Sequence, residues 1–329
     1  MGIWCFPFFI SKFAKGWHLM FNRDFPIKAE GKALELFFCG KLSTTKGGVV
    51  TGTSTTHLFR SEEFKLRQKL TNVSPCSPPE VMQGCDSFQT MYCHLLCGLL
   101  CWQEIQFLSS IFAYTLVEAL KSFERLWKSL CEDIRHGHLN DWISDPLLRD
   151  VMSSKVLLHA NPNLADLIAQ KCIVGMEVGW YGIIPQLWPN CKYLLSIMTG
   201  AMEPYTKKLK HYAREVPLVT RDYLSTETCI GVNVNPKADP TNVSFTVVPS
   251  FAYFEFLPTC NSRSTIYVKS IHDSSITELV ANDKLLGLTE VEVGKEYEIV
   301  ITTYGGKHWM LYSFVWFGQI IWFKTLRVC

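Results

Sequence analysis

The sequence predicts an α/β fold, with helices flanking mixed sheets and β-hairpins towards the end of the chain. Three observations carry this. An apolar stripe, Phe112, Leu116, Leu120, Phe123, Trp127, Leu130 and Ile134, recurs every three to four residues, with Glu118, Lys121, Glu124 and Lys128 between its members. Strand-like apolar runs stand on either side of it, at residues 33–39 and at Tyr193–Met198. β-Prone stretches then crowd the last third, at Val243–Val248, Phe251–Leu257 and Tyr297–Thr303. Strands alternating with strong helices are the pattern of an α/β domain.

The 329 residues, 48% hydrophobic and 19% charged, suffice for a sizeable core and exclude a disordered chain. Thirty-two basic residues against thirty acidic leave a net charge of +2, which argues against a nucleic-acid or polyanion binder.

Taken in order, residues 33–39 read as a buried strand and the Gly/Thr-rich stretch from Lys46 to His57 as a loop. That loop looks like a phosphate cradle but lacks the G-x-x-x-x-G-K-[ST] spacing, and a flexible substrate-facing loop is an equal alternative. Ser74–Pro79, with its prolines, and Gly84 form a connection. The long helix starts at Ser110, capped by Ser109 or Ser110, and stops at Gly137. His136 and His138, beside that glycine, suit the helix dipole better than a metal. Asn161-Pro162, an N-cap followed by proline at the first helical position, opens a second helix through Leu164, Leu167, Ile168 and Cys172. Lys207, Lys208, Lys210 and His211 mark a solvated helix ahead of a strand at Val216. Residues 259–290 carry no assignable pattern.

The thirteen cysteines are scattered and odd in number, without a C-x-x-C pair. Cys93, Cys97 and Cys101 recur every four residues and share one face if their segment is helical. Buried free thiols in a reducing, cytoplasmic setting explain them better than zinc does. The apolar N-terminus lacks the basic start and the cleavage site of a signal peptide. No stretch reaches the ~20 apolar residues of a transmembrane helix. The nearest, Trp309–Phe323, is interrupted by Gly318 and Gln319, so membrane tethering is a minor alternative.

The chemistry concentrates at Val219–Gly231. An apolar run, Val216–Val219, leads into Tyr223, Ser225, Thr226 and Glu227, and a second β-prone run follows at Ile230–Val234. A strand ending in a hydroxyl-rich turn exposes backbone N–H groups and hydroxyls together, which suits oxyanions and metal-bound phosphates. An ordinary polar loop between two buried strands is the competing account.

Several blocks stand in a fixed order. They are Gly47-Gly-Val-Val-Thr-Gly-Thr-Ser-Thr-Thr56, Tyr181-Gly-Ile-Ile-Pro-Gln-Leu-Trp-Pro-Asn190, Ser196-Ile-Met-Thr-Gly-Ala-Met202, Asp222-Tyr-Leu-Ser-Thr-Glu227 with Gly231-Val-Asn-Val-Asn-Pro236, and Phe251-Ala-Tyr-Phe-Glu-Phe-Leu-Pro258. Together they resemble the plant auxin-responsive (Gretchen Hagen three) acyl acid amido synthetases, and among these the jasmonoyl–amino acid synthetase-like group most. The resemblance implies an incomplete large N-terminal domain of an adenylate-forming enzyme. It implies an ATP-dependent acid–amino acid ligase using ATP and Mg²⁺. Such an enzyme adenylates a carboxylic acid (jasmonate, auxin or a benzoate), releases pyrophosphate, and conjugates the acyl group to an amino acid.

The resemblance also implies roles for particular residues. Thr199, Gly200 and Ala201 lie against the adenine, with Tyr223 stacked nearby. Ser225 and Thr226 reach the α-phosphate, and Glu227 is the catalytic residue and magnesium ligand. Ile111, Ile197, Arg221 and Cys229 line the acyl pocket. Arg221 and Cys229 stand where jasmonate-type members more often carry histidine and tryptophan, and Arg221 is able to pair with a substrate carboxylate. Leu224 replaces a smaller residue and is strained if that position needs a positive φ.

By the same resemblance, residues 1–20 are an atypical extension, 21–305 a partial large domain and 306–329 a divergent hydrophobic tail. The family's Ser-Ser-Gly-Thr phosphate loop, its Tyr-Arg-Tyr-Arg-Leu-Gly-Asp run and its small C-terminal domain have no counterpart. A truncated, catalytically inactive member that at most binds an acyl acid is therefore the alternative to an active ligase. Small carboxylic acids and amino acids are the expected partners, with no nucleic acid and no membrane.

Overall fold

The structure, a computed structural model, describes residues 21–28, 30–62, 64, 73–225, 228–258, 285–305 and 308–313. Within these, the chain forms two compact units: a larger one of residues 21–220 with 236–241, and a smaller one of residues 221–235 with 242–313.

The larger unit is built on strands β1 (Lys32–Glu35), β2 (Ser43–Thr44), β3 (Val50–Thr51), β4 (Ser74–Pro75), β5 (Ile105–Phe112), β6 (Tyr193–Ile197) and β7 (Leu218–Val219). Five of them make one sheet in the order β4-β1-β5-β6-β7, with every pairing parallel. β2 and β3 form a separate antiparallel pair, so the Gly/Thr-rich stretch is not a loose loop: it holds the turn and second strand of a hairpin and then the first turn of a helix, Ser54–Arg60. Parallel strands need long crossovers and are covered on both faces, so they read as continuous apolar runs. The principal helices are α1 (Ser54–Arg60), α2 (Ser87–Leu100), α3 (Ala113–His136), α4 (Pro162–Glu177) and α5 (Glu203–Ala213). The core joins Leu95, Leu96 and Leu99 of α2 to Leu116, Phe123 and Leu130 of α3, and to Ile105 and Leu108 of β5.

The long helix begins three residues later than its sequence suggests. Ser109 and Ser110 belong to β5, and the N-cap is Phe112, which makes no side-chain cap. Serine favours a cap locally, but here β5 is paired on both sides, by β1 and β6, and tertiary pairing outweighs the local preference. The helix stops where expected. Gly137 takes φ +64° and donates its N–H to the Asp133 carbonyl. Asn161 also caps as predicted, its Oδ1 accepting from the Leu164 N–H at 3.0 Å ahead of Pro162. The strand expected at 33–39 is shorter, because beyond Glu35 the chain bonds irregularly, Cys39 N–H to the Gly84 carbonyl among others.

Cys93 and Cys97 are buried on α2, and Cys101 is its C-cap. The described cysteines are free thiols, and among the described residues no cluster of three or more His, Cys, Asp or Glu side chains could hold a metal. His136 meets Glu132 at 3.2 Å.

The smaller unit carries β8 (Asp222–Leu224), β9 (Cys229–Val232), β10 (Thr246–Val247), β11 (Tyr253–Pro258), β12 (Leu286–Gly287), β13 (Tyr297–Gly305) and β14 (His308–Ser313). They form two antiparallel sheets, β10-β9-β8 and β12-β11-β13-β14, around Ile230, Phe254, Phe256, Ile299 and Ile301. The start of the hydrophobic tail is thus a strand: Trp309 stands opposite Tyr304. The remainder of Trp309–Phe323, and residues 259–284, lie outside the described residues. Among the described residues, no helix is long and apolar enough to cross a membrane.

Gly137 supplies a test of the helix stop. A Cβ there would meet the Ala160 nitrogen at 2.6 Å, and φ +64° is costly for any L side chain. Gly137→Ala is expected to lower stability by about 2 kcal/mol or more in urea titration.

Candidate active site

Because the sheet of the larger unit is parallel, the carboxyl ends of β1, β5, β6 and β7 lie along one edge. From β1 the chain passes to β4 on one side, and from β5 to β6 on the other. The crevice between two such strands is where open α/β sheets bind ligands. Ile111 and Ile197 both lie at this edge. A register shift between Ser109 and Phe112 sets Phe112, and not Ile111, opposite Ile197. Ile111 packs instead on an apolar cluster of Cys39, Phe59, Phe64 and Met82, in which the Phe37 and Phe59 rings stack 4.5 Å apart. Phe112 is 45% exposed beside Ile197 and escaped notice in the sequence, where it counts as one more member of the helical stripe.

A buried relay holds the end of β1 in place. The Phe37 carbonyl can only accept, so His94 Nε2 donates to it, at 2.9 Å. Nδ1 of the same ring then accepts from the Ser77 hydroxyl at 2.7 Å. His94 is fully buried, and burial pushes its pKa down to about 4, so the ring is neutral at pH 7. A hydroxyl clamp fixes the end of β6. Thr220 Oγ1 donates to the Ser196 carbonyl and accepts from the Met198 N–H, each at 2.9 Å. Neither Thr220 nor His94 was singled out in the sequence, because their partners are remote along the chain.

The Thr199-Gly200-Ala201 turn follows directly. Thr199 is half-buried, Gly200 and Ala201 are exposed, and Gly200 has φ +58°. A single 3₁₀ turn, Gly200–Met202, then leads into α5, and neither start carries a side-chain cap. The result is a small-residue surface at an uncapped helix start, which a planar base or an anion can approach closely.

The other candidates share one hairpin of the smaller unit. Tyr223 stands opposite Gly231 and Leu224 opposite Cys229. Tyr223 packs on the core of its unit, its ring 5.6 Å from that of Phe245, and burial raises its phenol pKa. Ser225 closes the turn: its N–H and hydroxyl both donate to the Thr228 carbonyl, and its Oγ accepts from the Thr228 N–H. Arg221 Nε lies 2.8 Å from Asp222 Oδ2. Cys229 is buried in β9, and burial pushes its thiol up to about 12. Leu224 is not among the described residues with positive φ, so the strain considered for it is absent. Thr226 and Glu227 lie outside the described residues.

The N-terminal domain of the GH3 family matches residues 10–218, and its central domain matches residues 245–310. The chain belongs to the GH3 family. It is 44% identical over 286 residues to the indole-3-acetic acid-amido synthetase GH3.10 of Arabidopsis thaliana, covering 87% of this chain and 47% of that protein. It is likewise 44% identical over 293 residues to the jasmonoyl–L-amino acid synthetase GH3.5 of Oryza sativa subsp. japonica, with the same shares covered. Among solved structures it is similar to the GH3.15 acyl acid amido synthetase, with a TM-score of 0.75 and 32% identity over 92% of this chain and 48% of that one. The chain therefore spans about half the length of these GH3 proteins. The α/β architecture expected from the sequence agrees with the GH3 fold.

Two measurements test the supports of this edge. Thr220→Val removes both bonds of the clamp and is expected to cost about 2–3 kcal/mol in urea unfolding, with Thr220→Ser near wild type. His94 takes up a proton near pH 6.5 when unfolded and only near 4 when folded. Its contribution is complete above pH 6.5 and lost as pH falls towards 4, about 3 kcal/mol in all. Unfolding at pH 7 and pH 5 should show most of that loss, and His94→Gln should flatten it.

Proposed function

We propose that this chain carries the acid-activating site of an ATP-dependent acid–amino acid ligase. The observation that carries the reading is the small-residue, uncapped turn Thr199–Ala201 at the carboxyl edge of a parallel sheet, in a chain 44% identical to amido synthetases. A carboxylate is a poor electrophile, and transfer of an adenylyl group gives the acyl carbon a good leaving group. What the protein must supply is alignment of the two reactants and hydrogen bonds to the phosphate.

In this reading Thr199, Gly200 and Ala201 receive the adenine, and Tyr223 is a further nucleotide-binding residue. Ser225 and Thr226 donate to the α-phosphate, Ser225 by exchanging its bond to the Thr228 carbonyl for a phosphate oxygen. Ile111, Ile197, Arg221 and Cys229 are the residues assigned to acid binding. Glu227 offers the hard carboxylate oxygens that magnesium prefers, and it would hold the ion together with the phosphates. Magnesium, when bound, offsets phosphate charge. The acid is a jasmonate, an auxin or a benzoate, and the acceptor is an amino acid. Residues 21–305 are a partial large domain of such a ligase and 306–329 a divergent hydrophobic tail.

Pyrophosphate exchange with ATP tests this directly, using jasmonate, indole-3-acetate and benzoate in turn. At least one acid should stimulate exchange, and Glu227→Gln should reduce it by roughly 100-fold. A folded chain that binds an acid without exchange would contradict catalysis. Unchanged exchange in the variant would remove the role of Glu227.

A further inference from the structure

Helix α1 ends in a guanidinium that no carboxylate among the described residues neutralises. Arg60 is half-buried, and its Nη2 lies 3.5 Å from the Cys85 thiol. The Cys39 thiol is its other polar neighbour. Nε is buried with no hydrogen-bond partner, and among the described residues no carboxylate pairs with this side chain. Arg23, Arg135, Arg149 and Arg221 each hold a carboxylate oxygen by contrast. Sulfur is a weak acceptor. Burial also holds the Cys39 thiol above its usual range, so it stays protonated and offers no countercharge.

The surroundings fix the guanidinium beside Cys39 and Gly40, in the segment that follows β1. Gly40 N–H donates to Thr56 Oγ1 at 2.7 Å, which ties the backbone after β1 to α1. The Cys85 thiol lies 3.8 Å from the Gly40 carbonyl. Cys39 also belongs to the apolar cluster with Phe59, Phe64 and Met82, so Arg60 lies at the polar rim of that cluster. Five donors in a planar fork match the paired oxygens of a carboxylate or phosphate, and a partly desolvated cation gains most from such a partner.

We propose that Arg60 anchors a small oxyanion, a carboxylate or a phosphate group, beside Cys39 and Cys85 in the segment that follows β1. An oxyanion carried on an apolar body gains contact with the neighbouring aromatic cluster as well. The adenylation reading gives Arg60 no role, and the oxyanion site stands whether or not the chain turns over.

The test is calorimetric titration of the full chain with benzoate and with inorganic phosphate, without ATP, on wild type and Arg60→Gln. Alkylation of Cys85 by iodoacetamide, read by mass spectrometry, locates the effect. At least one anion should bind, about tenfold more weakly to Arg60→Gln, and should slow Cys85 alkylation in wild type alone. Binding of benzoate only assigns the site to a carboxylate, and binding of phosphate only assigns it to a phosphate. If neither anion binds the folded wild type, if both bind the variant equally well, or if Cys85 reacts at the same rate with anion bound, the proposal is wrong. Should Arg60→Gln fail to fold, Arg60→Lys replaces it, with severalfold weaker binding expected and equal binding overturning the site.

Discussion

Parallel pairing of β5 with both β1 and β6 is the constraint from which the rest of the larger unit follows. Because the pairings are parallel, each successive strand must be reached by a crossover, and the carboxyl ends accumulate along one edge. Because the sheet is covered by helices, its central strand is buried along most of its length, which forces Gln106, Ser109 and Ser110 into a buried setting they would not choose. Ser110 answers that cost by donating to the Phe112 carbonyl at 2.7 Å. α3 can begin only after this strand ends, so its stripe packs from Ala113 onwards.

The same constraint explains why the polar groups at the edge are held so firmly. Strand ends leave backbone groups without ladder partners, and burial makes each unpaired group expensive. His94 serves the end of β1 and Thr220 the end of β6. Neither has to touch a substrate to matter. Each keeps a strand end in place so that the side chains and turn after it, Phe37 in one case and Thr199–Ala201 in the other, keep a defined geometry. The hairpin of the smaller unit follows the same logic on a smaller scale, with Ser225 stapling its own turn through Thr228.

Much of this was legible in the sequence, and what was not has a common cause. The α3 stripe, the Gly137 stop and the Asn161-Pro162 start are local signals, dependent on residues within a turn or two, and they appear where expected. The start of α3 was misplaced because the decisive partners of Ser109 and Ser110 are on strands remote in sequence. Thr220 and Arg60 were passed over for the same reason: one has its partners 22 and 24 residues away, the other a thiol 25 residues away. The hydroxyl-rich turn was recognisable as a turn from composition. Its assignment to a nucleotide came only from blocks elsewhere in the chain.

In the proposed function the carboxyl edge of the parallel sheet receives the nucleotide. Photolabelling with 8-azido-ATP, followed by peptide mapping, addresses it most directly. The account predicts label on the peptide containing Thr199–Ala201, with competition by unlabelled ATP. Competable label confined to the opposite, amino edge of the sheet, at Lys192 or Pro217 for example, would contradict it.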